Sequence, residues 1–252
     1  RFTTRSASGA TSQAASVIEA LEAGSSLLLF DEDASAVNFL IRDGRMQKLI
    51  PSNREPLIPL IDRISDLKER GISCIMVVGA SGDLLEIADQ VVAMEEYRAV
   101  DRTLQAQEVC RSIPSQREKL VAEKAPPLPS RRPLWSHFLK NLKLKQGEAR
   151  PKAADHNTLR LGPLQVDLSR VEQLVDRTQL QAIGSALLWA AHHCPPELTL
   201  DEVFRVVEEK LKNEGLESFS TFSNGDLSLF RTQDFAAALY RTRGLEIEIV
   251  SR

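Results

Sequence analysis

Three acidic residues that follow a short apolar run are the first candidates for chemistry. The run Leu27–Phe30 comes after Gly24 and ends in Asp31, Glu32 and Asp33. Its length and its flanks predict a buried strand of a covered sheet. Open α/β sheets bind ligands at the carboxyl ends of their strands. Asp31 is therefore a candidate Mg²⁺ ligand and Glu32 a candidate base that orients or deprotonates a water. The alternative is a strand that ends in solvated acids.

A helix start that suits an anion precedes these acids. Ser8 and Gly9 introduce a segment in which Val17, Ile18 and Leu21 share one helical face. The free backbone N–H groups of such a start, together with a hydroxyl, can bind a phosphate. The sequence thus places a predicted phosphate site one helix before a predicted Mg²⁺ site.

A second polar turn is predicted to face the same crevice. Residues 79–83 follow the apolar run 72–78, which also predicts a buried strand. Ser81 and the N–H groups around it are candidates for binding phosphate there. The alternative is a turn that needs glycine only for its backbone angles. With a third predicted strand at 89–94, the alternation of strands and helices indicates a parallel sheet covered by helices.

Taken together, these motifs resemble the ABC ATPases. Ser8 precedes Asp31 by 23 positions, the spacing that separates the signature motif from the Walker B acid in that family. Residues 7–14, 30–43 and 77–83 resemble more closely the family described as predicted ATPases of the ABC class. The resemblance covers residues 1–103 well and the C-terminal third more loosely.

The resemblance implies a role for each matching residue. Ser8–Ala10 would clamp the γ-phosphate of ATP held by the phosphate loop of another copy. Asp31 would hold Mg²⁺ through water, and Glu32 would polarise the attacking water. Asn38, where the family has Asp, would line the composite interface. The implied cofactors are ATP and Mg²⁺, and the implied partner is a second ATPase half or a second copy in a homodimer.

Two departures from the family pattern limit what this chain is expected to do alone. No Gly-x-x-x-x-Gly-Lys-Ser/Thr segment occurs in residues 1–252. The turn 79–83 stands where most ABC ATPases carry a switch histidine. We therefore expect the C-terminal portion of a longer ATPase without its Walker A half. ATP hydrolysis is expected of the parent and not of this chain alone.

A basic, proline-rich stretch follows the predicted ATPase core. Residues 111–152 hold eleven Lys or Arg against three Glu, and residues 104–153 hold six of the twelve prolines. Cations interleaved with aromatic rings can bind RNA or another single-stranded nucleic acid. The alternative is a solvated linker whose Trp135 packs on its domain. The candidate nucleic-acid residues are Arg131, Arg132, Trp135, Lys140, Lys143 and Lys145.

The predicted fold class is α/β, in three parts. Residues 1–103 form part of an ABC-type P-loop ATPase with a parallel sheet core, 104–155 a basic Pro-rich linker or insertion, and 156–252 a small α-rich module. The three cysteines are widely spaced, no apolar run approaches the length of a membrane span, and no secretory signal is evident. These features predict a soluble intracellular protein without a membrane partner. The alternative function is a non-catalytic nucleic-acid-binding or scaffold protein that keeps the ABC fold.

Overall fold

A computed structural model describes residues 6–55, 57–120, 128–142, 150–220 and 226–250. The chain divides into two compact units. The first comprises Arg1–Ile18 and Ser25–Pro127, and the second comprises Glu19–Gly24 and Leu128–Arg252. Within the described residues, no helix combines the length and the apolar character needed to cross a membrane.

The first unit is built from short elements that alternate between helix and strand. They are α1 (Gly9–Glu22), whose last turn is grouped with the second unit, β1 (Leu27–Asp31), α2 (Val37–Leu40), α3 (Gly44–Leu49), α4 (Ile64–Glu69), β2 (Ser73–Val77), β3 (Val92–Glu95), β4 (Arg98–Asp101) and α5 (Thr103–Ser112). Short 3₁₀ turns cover Ser52–Arg54, Leu60–Asp62 and Gly82–Ile87.

The strands β1 and β2 pair in parallel, as the sequence predicted, with Asp31 opposite Val77. The third predicted strand is different, because β3 pairs with β4 as an antiparallel hairpin and, among the described strands, not with β2. The hairpin closes through Glu96 and Tyr97, which have φ values of 45° and 64°. Two consecutive positive φ values give a primed turn that matches strand twist. A Glu-Tyr pair carries none of the usual sequence signals for this turn.

Only one face of the parallel pair is covered within the described chain. Leu28 and Phe30 are buried, whereas Leu29, Ile75 and Val77 are 70%, 58% and 67% exposed. The prediction of a sheet covered on both faces is therefore right for one face only. Phe30 packs toward Phe39 of α2, with ring centroids 6.2 Å apart, and this contact anchors the segment that follows the acids.

The second unit has its own α-rich core. Its remaining elements are β5 (Arg131–Pro133), α6 (Trp135–Asn141), β6 (Pro151–Ala153), β7 (Thr158–Leu161), β8 (Leu164–Asp167), α7 (Arg177–His193), α8 (Leu200–Glu214), α9 (Thr232–Arg241) and β9 (Ile247–Ile249). The strands form a β6-β7-β8 meander and a β5-β9 pair, all antiparallel. Phe138, Phe204 and Phe235, from three different helices, are almost completely buried.

Helix caps in the second unit follow the local sequence closely. Helix α8 begins with a capping box, since Glu202 accepts a hydrogen bond from the Thr199 backbone N–H at 2.8 Å. Helix α7 begins after Asp176, whose side chain accepts a hydrogen bond from the Thr178 N–H at 2.8 Å. The Gln179 side-chain oxygen, three residues later, accepts a hydrogen bond from the Asp176 N–H at 3.1 Å, which completes a capping box.

Candidate active site

The start of α1 presents a hydroxyl and backbone N–H groups to solvent. Ser8 and Gly9 are exposed, while Ala10 is buried. The Ser8 hydroxyl accepts a hydrogen bond from the Thr11 N–H at 3.2 Å, so it caps the helix. The first turn of α1 contains no acidic residue. Because no carboxylate offsets the positive end of the helix dipole, this turn suits an anion such as phosphate.

Gln13 connects the helix start to the residues that follow the acids. Its side-chain N–H₂ donates to the Ser35 hydroxyl at 2.8 Å, and its carbonyl oxygen accepts from the Ala36 N–H at 2.9 Å. Sequence reasoning did not single out Gln13. The available signal was its position four residues after Gly9, which places both on the same face of the helix. Gln13 thus fixes the distance between the predicted phosphate site and the predicted Mg²⁺ site.

Glu32 is held by the turn that follows β2. Its backbone N–H donates to the Val77 carbonyl at 3.0 Å, which extends the parallel pairing. One carboxylate oxygen accepts hydrogen bonds from the N–H groups of Gly79 and Ala80, at 2.6 and 2.9 Å. The other oxygen accepts a hydrogen bond from the Ser81 hydroxyl. We call residues 79–81 the Glu32 turn.

These hydrogen bonds lower the pKa of Glu32 to about 2, the Ser81 hydroxyl contributing most, followed by the Ala80 and Gly79 N–H groups. Such a carboxylate is ionised at neutral pH and is a weak proton acceptor. Its chemistry in this arrangement is to orient a water molecule and to stabilise positive charge. The structure also places the predicted phosphate ligand Ser81 on Glu32, so the hydroxyl is already engaged.

Ser81→Ala is expected to raise the pKa of Glu32 toward its ordinary value of 4.5. The physical reason is that the hydroxyl bonds to the ionised form and so favours it. Because the folded-state pKa is depressed, the stabilisation is complete above pH 4.5 and is lost as the pH falls toward 2. The measurement is an NMR titration of the Glu32 side-chain carboxyl carbon. Identical titration curves for the wild type and Ser81→Ala would show that Ser81 does not hold the carboxylate.

Asp31, which directly precedes Glu32, and Asn38 in α2 are both exposed. One oxygen of Asp31 accepts a hydrogen bond from the Asp33 N–H at 3.1 Å, which leaves the other oxygen open. Within the described residues, no group of three His, Cys, Asp or Glu could hold a metal ion. The single open carboxylate oxygen of Asp31 nevertheless fits Mg²⁺, because this ion commonly takes one or two carboxylates and completes its shell with waters and substrate phosphates.

The predicted nucleic-acid residues are largely engaged within the second unit. Arg131 pairs with Glu22, and Arg132 pairs with Glu248. Trp135 is only 4% exposed, so a base cannot stack on its ring, which favours the alternative that Trp135 packs on its domain. Lys140 is exposed. Lys143 and Lys145 lie outside the described residues.

Comparison with protein-family models gives two matches that together cover most of the chain. Residues 1–131 match the ABC_ATPase model, described as a P-loop domain. Residues 150–248 match the model of the MRB1590 C-terminal domain. No curated protein matches the chain. The first match contains Ser8, Gln13, Asp31 and the Glu32 turn.

Proposed function

Because this chain belongs to the ABC_ATPase P-loop domain family, we propose that it forms one side of a site that binds and hydrolyses ATP. The observation that carries the proposal is the Gln13 bridge. It joins the helix that starts at Ser8 to Ser35 and Ala36, which follow Glu32 by three and four residues, with hydrogen bonds of 2.8 and 2.9 Å. The helix start and the acidic strand end are thereby connected within the first unit, and the Glu32 turn is connected to the same strand end through Glu32 itself.

Each residue has a role that follows from its surroundings. The hydroxyl of Ser8 and the N–H groups of Gly9 and Ala10 bind the γ-phosphate, since the first turn of α1 contains no acidic residue that would repel it. The open oxygen of Asp31 and the exposed side chain of Asn38 face solvent, where Asp31 can bind the hydration shell of Mg²⁺. Bound Mg²⁺ would neutralise charge that develops on the phosphates.

Glu32 is the residue that we assign to the attacking water. The N–H groups of Gly79 and Ala80 fix the orientation of its carboxylate. Such positioning is the main contribution of a protein to phosphoryl transfer. The water attacks the γ-phosphorus, the bond to the bridging oxygen breaks, and ADP and phosphate leave. The proton of the attacking water leaves with the released phosphate, so that the step balances without a proton retained on Glu32.

The proposed site needs groups from outside residues 1–252. These residues contain no Gly-x-x-x-x-Gly-Lys-Ser/Thr segment, which is the element that surrounds the β- and γ-phosphates in P-loop proteins. We propose that a phosphate loop from another segment or from another copy of the protein completes the site. The partner would be either a second ATPase half or the second subunit of a homodimer.

The purified 252-residue chain is expected to release no phosphate from ATP, whereas the protein expressed from its own gene should do so in a Mg²⁺-dependent manner. The measurement is phosphate release with and without EDTA for both preparations. Asp31→Asn should abolish the activity, and Asp33→Asn, which removes the same charge two residues away, serves as the control.

Two outcomes would contradict this expectation in different ways. Turnover by the 252-residue chain would show that its own residues provide all phosphate contacts. No turnover by the protein from its own gene would reject the ATPase function. That second outcome would leave the alternative of a scaffold or nucleic-acid-binding protein.

A further inference from the structure

The solvent side of the β6-β7-β8 meander carries a row of polar residues that the proposed ATP site does not use. The strand register places Lys152 of β6 opposite Arg160 of β7, and Arg160 opposite Gln165 of β8. Directly opposite residues of antiparallel strands lie on the same side of the sheet, with Cβ atoms about 5 Å apart. All three residues are exposed. We call this row the meander face.

The other side of the same strands fixes the row in position. The strand residues that alternate with the row are completely buried, namely Leu159, Leu161 and Val166. Gln181 of α7 also holds β6, since its side chain donates to the Pro151 carbonyl at 2.5 Å and accepts from the Ala153 N–H at 3.3 Å. The backbone separation of Lys152 and Arg160 is thus set by a packed sheet.

Two of the three residues of the meander face are cations without a carboxylate partner. Within the described residues, neither Lys152 nor Arg160 forms an ion pair. Like charges directly opposite each other on neighbouring strands repel and destabilise the pairing. A local rule of this kind is typically broken at functional sites, where a ligand supplies the missing compensation. The pair therefore suits an anion that binds both cations at once.

The two acids of the meander are held by other groups. The Asp155 carboxylate accepts a hydrogen bond from the Asn157 N–H at 2.8 Å, and the Asp167 carboxylate accepts one from the Ser169 N–H at 2.9 Å. These hydrogen bonds contribute most to the lowered pKa of each carboxylate, and neighbouring cations add to it, namely Arg177 for the first and Arg170 and Arg241 for the second. Neither acid is thus the counter-charge of the meander face.

The chemistry of this side of the sheet selects among anionic partners. Its strand residues are Lys152, Thr158, Arg160, Gln165 and Asp167, so among them there is neither an aromatic ring nor an apolar side chain. A lipid surface is therefore a poor partner, because binding to it relies on apolar groups that enter the acyl boundary. Base stacking is equally excluded here, which leaves contacts to phosphate and sugar.

We propose that the meander face binds the phosphate backbone of a nucleic-acid strand, with Lys152 and Arg160 on one phosphate and Gln165 on the adjoining sugar. The Arg160 guanidinium can bind two phosphate oxygens side by side, and the Lys152 ammonium adds a point charge. The Gln165 amide both donates and accepts, so it can bond to a sugar hydroxyl. The bound phosphate replaces the repulsion between the two cations by attraction to both. This surface lies in the second unit and does not depend on the proposed ATP site.

The test is fluorescence anisotropy of labelled oligouridylate and oligoadenylate with the full 252-residue chain over a range of salt concentrations. Both strands should bind with similar affinity, because the backbone carries no sequence information. The double variant Lys152→Gln, Arg160→Gln is expected to reduce the slope of log K against log salt by about 0.7, the loss of one phosphate contact.

A matched control removes the same two kinds of charge from α8. Arg205→Gln combined with Lys212→Gln changes one arginine and one lysine that are 65% and 68% exposed and pair with Asp201 and Glu208. This control should leave the slope unchanged, since it alters the net charge by the same amount without touching the meander face.

A charge reversal separates binding from a structural role. Lys152→Glu places a carboxylate opposite Arg160, and opposite charges in that position stabilise the strand pairing. The midpoint of thermal unfolding should therefore stay the same or rise, while strand binding is lost. A lower midpoint together with weaker binding would show that Lys152 is structural and would overturn the proposal.

Four other results would also overturn it. They are no binding of either strand at low salt, an unchanged slope in the meander-face double variant, an equal loss in the α8 control, and strong preference for one of the two strands. Binding to vesicles of phosphatidylserine and phosphatidylcholine without binding to either strand would assign the surface to lipid instead. Glu32→Gln should leave strand binding unchanged, so failure of the ATPase function and failure of this surface are separable.

Discussion

Glu32→Gln is expected to lower Mg²⁺-dependent ATP hydrolysis by the protein expressed from its own gene by about 10²–10³-fold, with no loss of ATP affinity, as the loss of one preorganised electrostatic group does. Glutamine keeps the shape of the side chain and most of its hydrogen bonds. Its carbonyl oxygen can still accept from the Gly79 and Ala80 N–H groups. Its amide can donate to the Ser81 hydroxyl, which can reverse its direction. What the variant loses is the negative charge beside the attacking water.

The measurements are phosphate release under saturating ATP and equilibrium binding of Mg²⁺-ATP. Asp33→Asn is a matched control, because Asp33 adjoins Glu32, is exposed and has no assigned role. Hydrolysis that survives Glu32→Gln at the wild-type rate would remove Glu32 from the mechanism. An equal loss in Asp33→Asn would instead indicate that general charge near the strand end, and not Glu32 itself, supports the reaction.

The sequence predicts the local framework of the candidate site because that framework depends on short-range patterns. The apolar runs that end at Asp31 and at Val78 correspond to β1 and β2, and their parallel pairing follows from the helix between them. Polar residues at both strand ends are then neighbours by geometry. The proximity of Glu32 to the turn at 79–81 needed no further information.

The partner chosen by each polar side chain could not be predicted in the same way. The Ser81 hydroxyl donates to the carboxylate of Glu32, although the sequence equally allowed it to bind a phosphate. Arg131 pairs with Glu22, which is 109 positions away. No local sequence pattern predicts that these two residues pair, because such a long-range ion pair depends on how the second unit packs.

The sequence contained a signal for the burial of Trp135, but the composition of the surrounding segment favoured exposure. Trp135, Phe138 and Leu142 recur at three- and four-residue spacing, which is the pattern of a buried helical face. All three are buried in α6 or directly after it. The surrounding prolines and lysines are typical of a solvated segment and so favoured the opposite prediction. Periodicity within a short window was the better guide, since α6 has only seven residues.

Arg131→Gln is expected to lower the free energy of unfolding of the second unit by about 3 kcal/mol, near the lower end for a broken buried ion pair. The Glu22 side chain is only 8% exposed and accepts hydrogen bonds from both Arg131 and the Tyr240 hydroxyl. Burial raises the pKa of Tyr240 far above its usual range, so this hydroxyl stays protonated and cannot replace the lost positive charge. The variant therefore leaves a buried carboxylate without its cation.

Arg132→Gln is the matched control, because the next residue of the same strand undergoes the same change. Its ion pair with Glu248 is 37% and 40% exposed, so its loss should cost about 0–1 kcal/mol. The measurement is chemical denaturation of both variants. The affinity of each variant for a single strand is then measured by fluorescence anisotropy of a labelled oligouridylate. Equal stability of the two would show that the Glu22 pair is not structural. If Arg132→Gln stays folded but loses affinity for the strand, the β5 arginines contact nucleic acid after all. Unchanged affinity would instead indicate that Arg131 and Arg132 hold β5 in place through their ion pairs with Glu22 and Glu248 and do not contact nucleic acid.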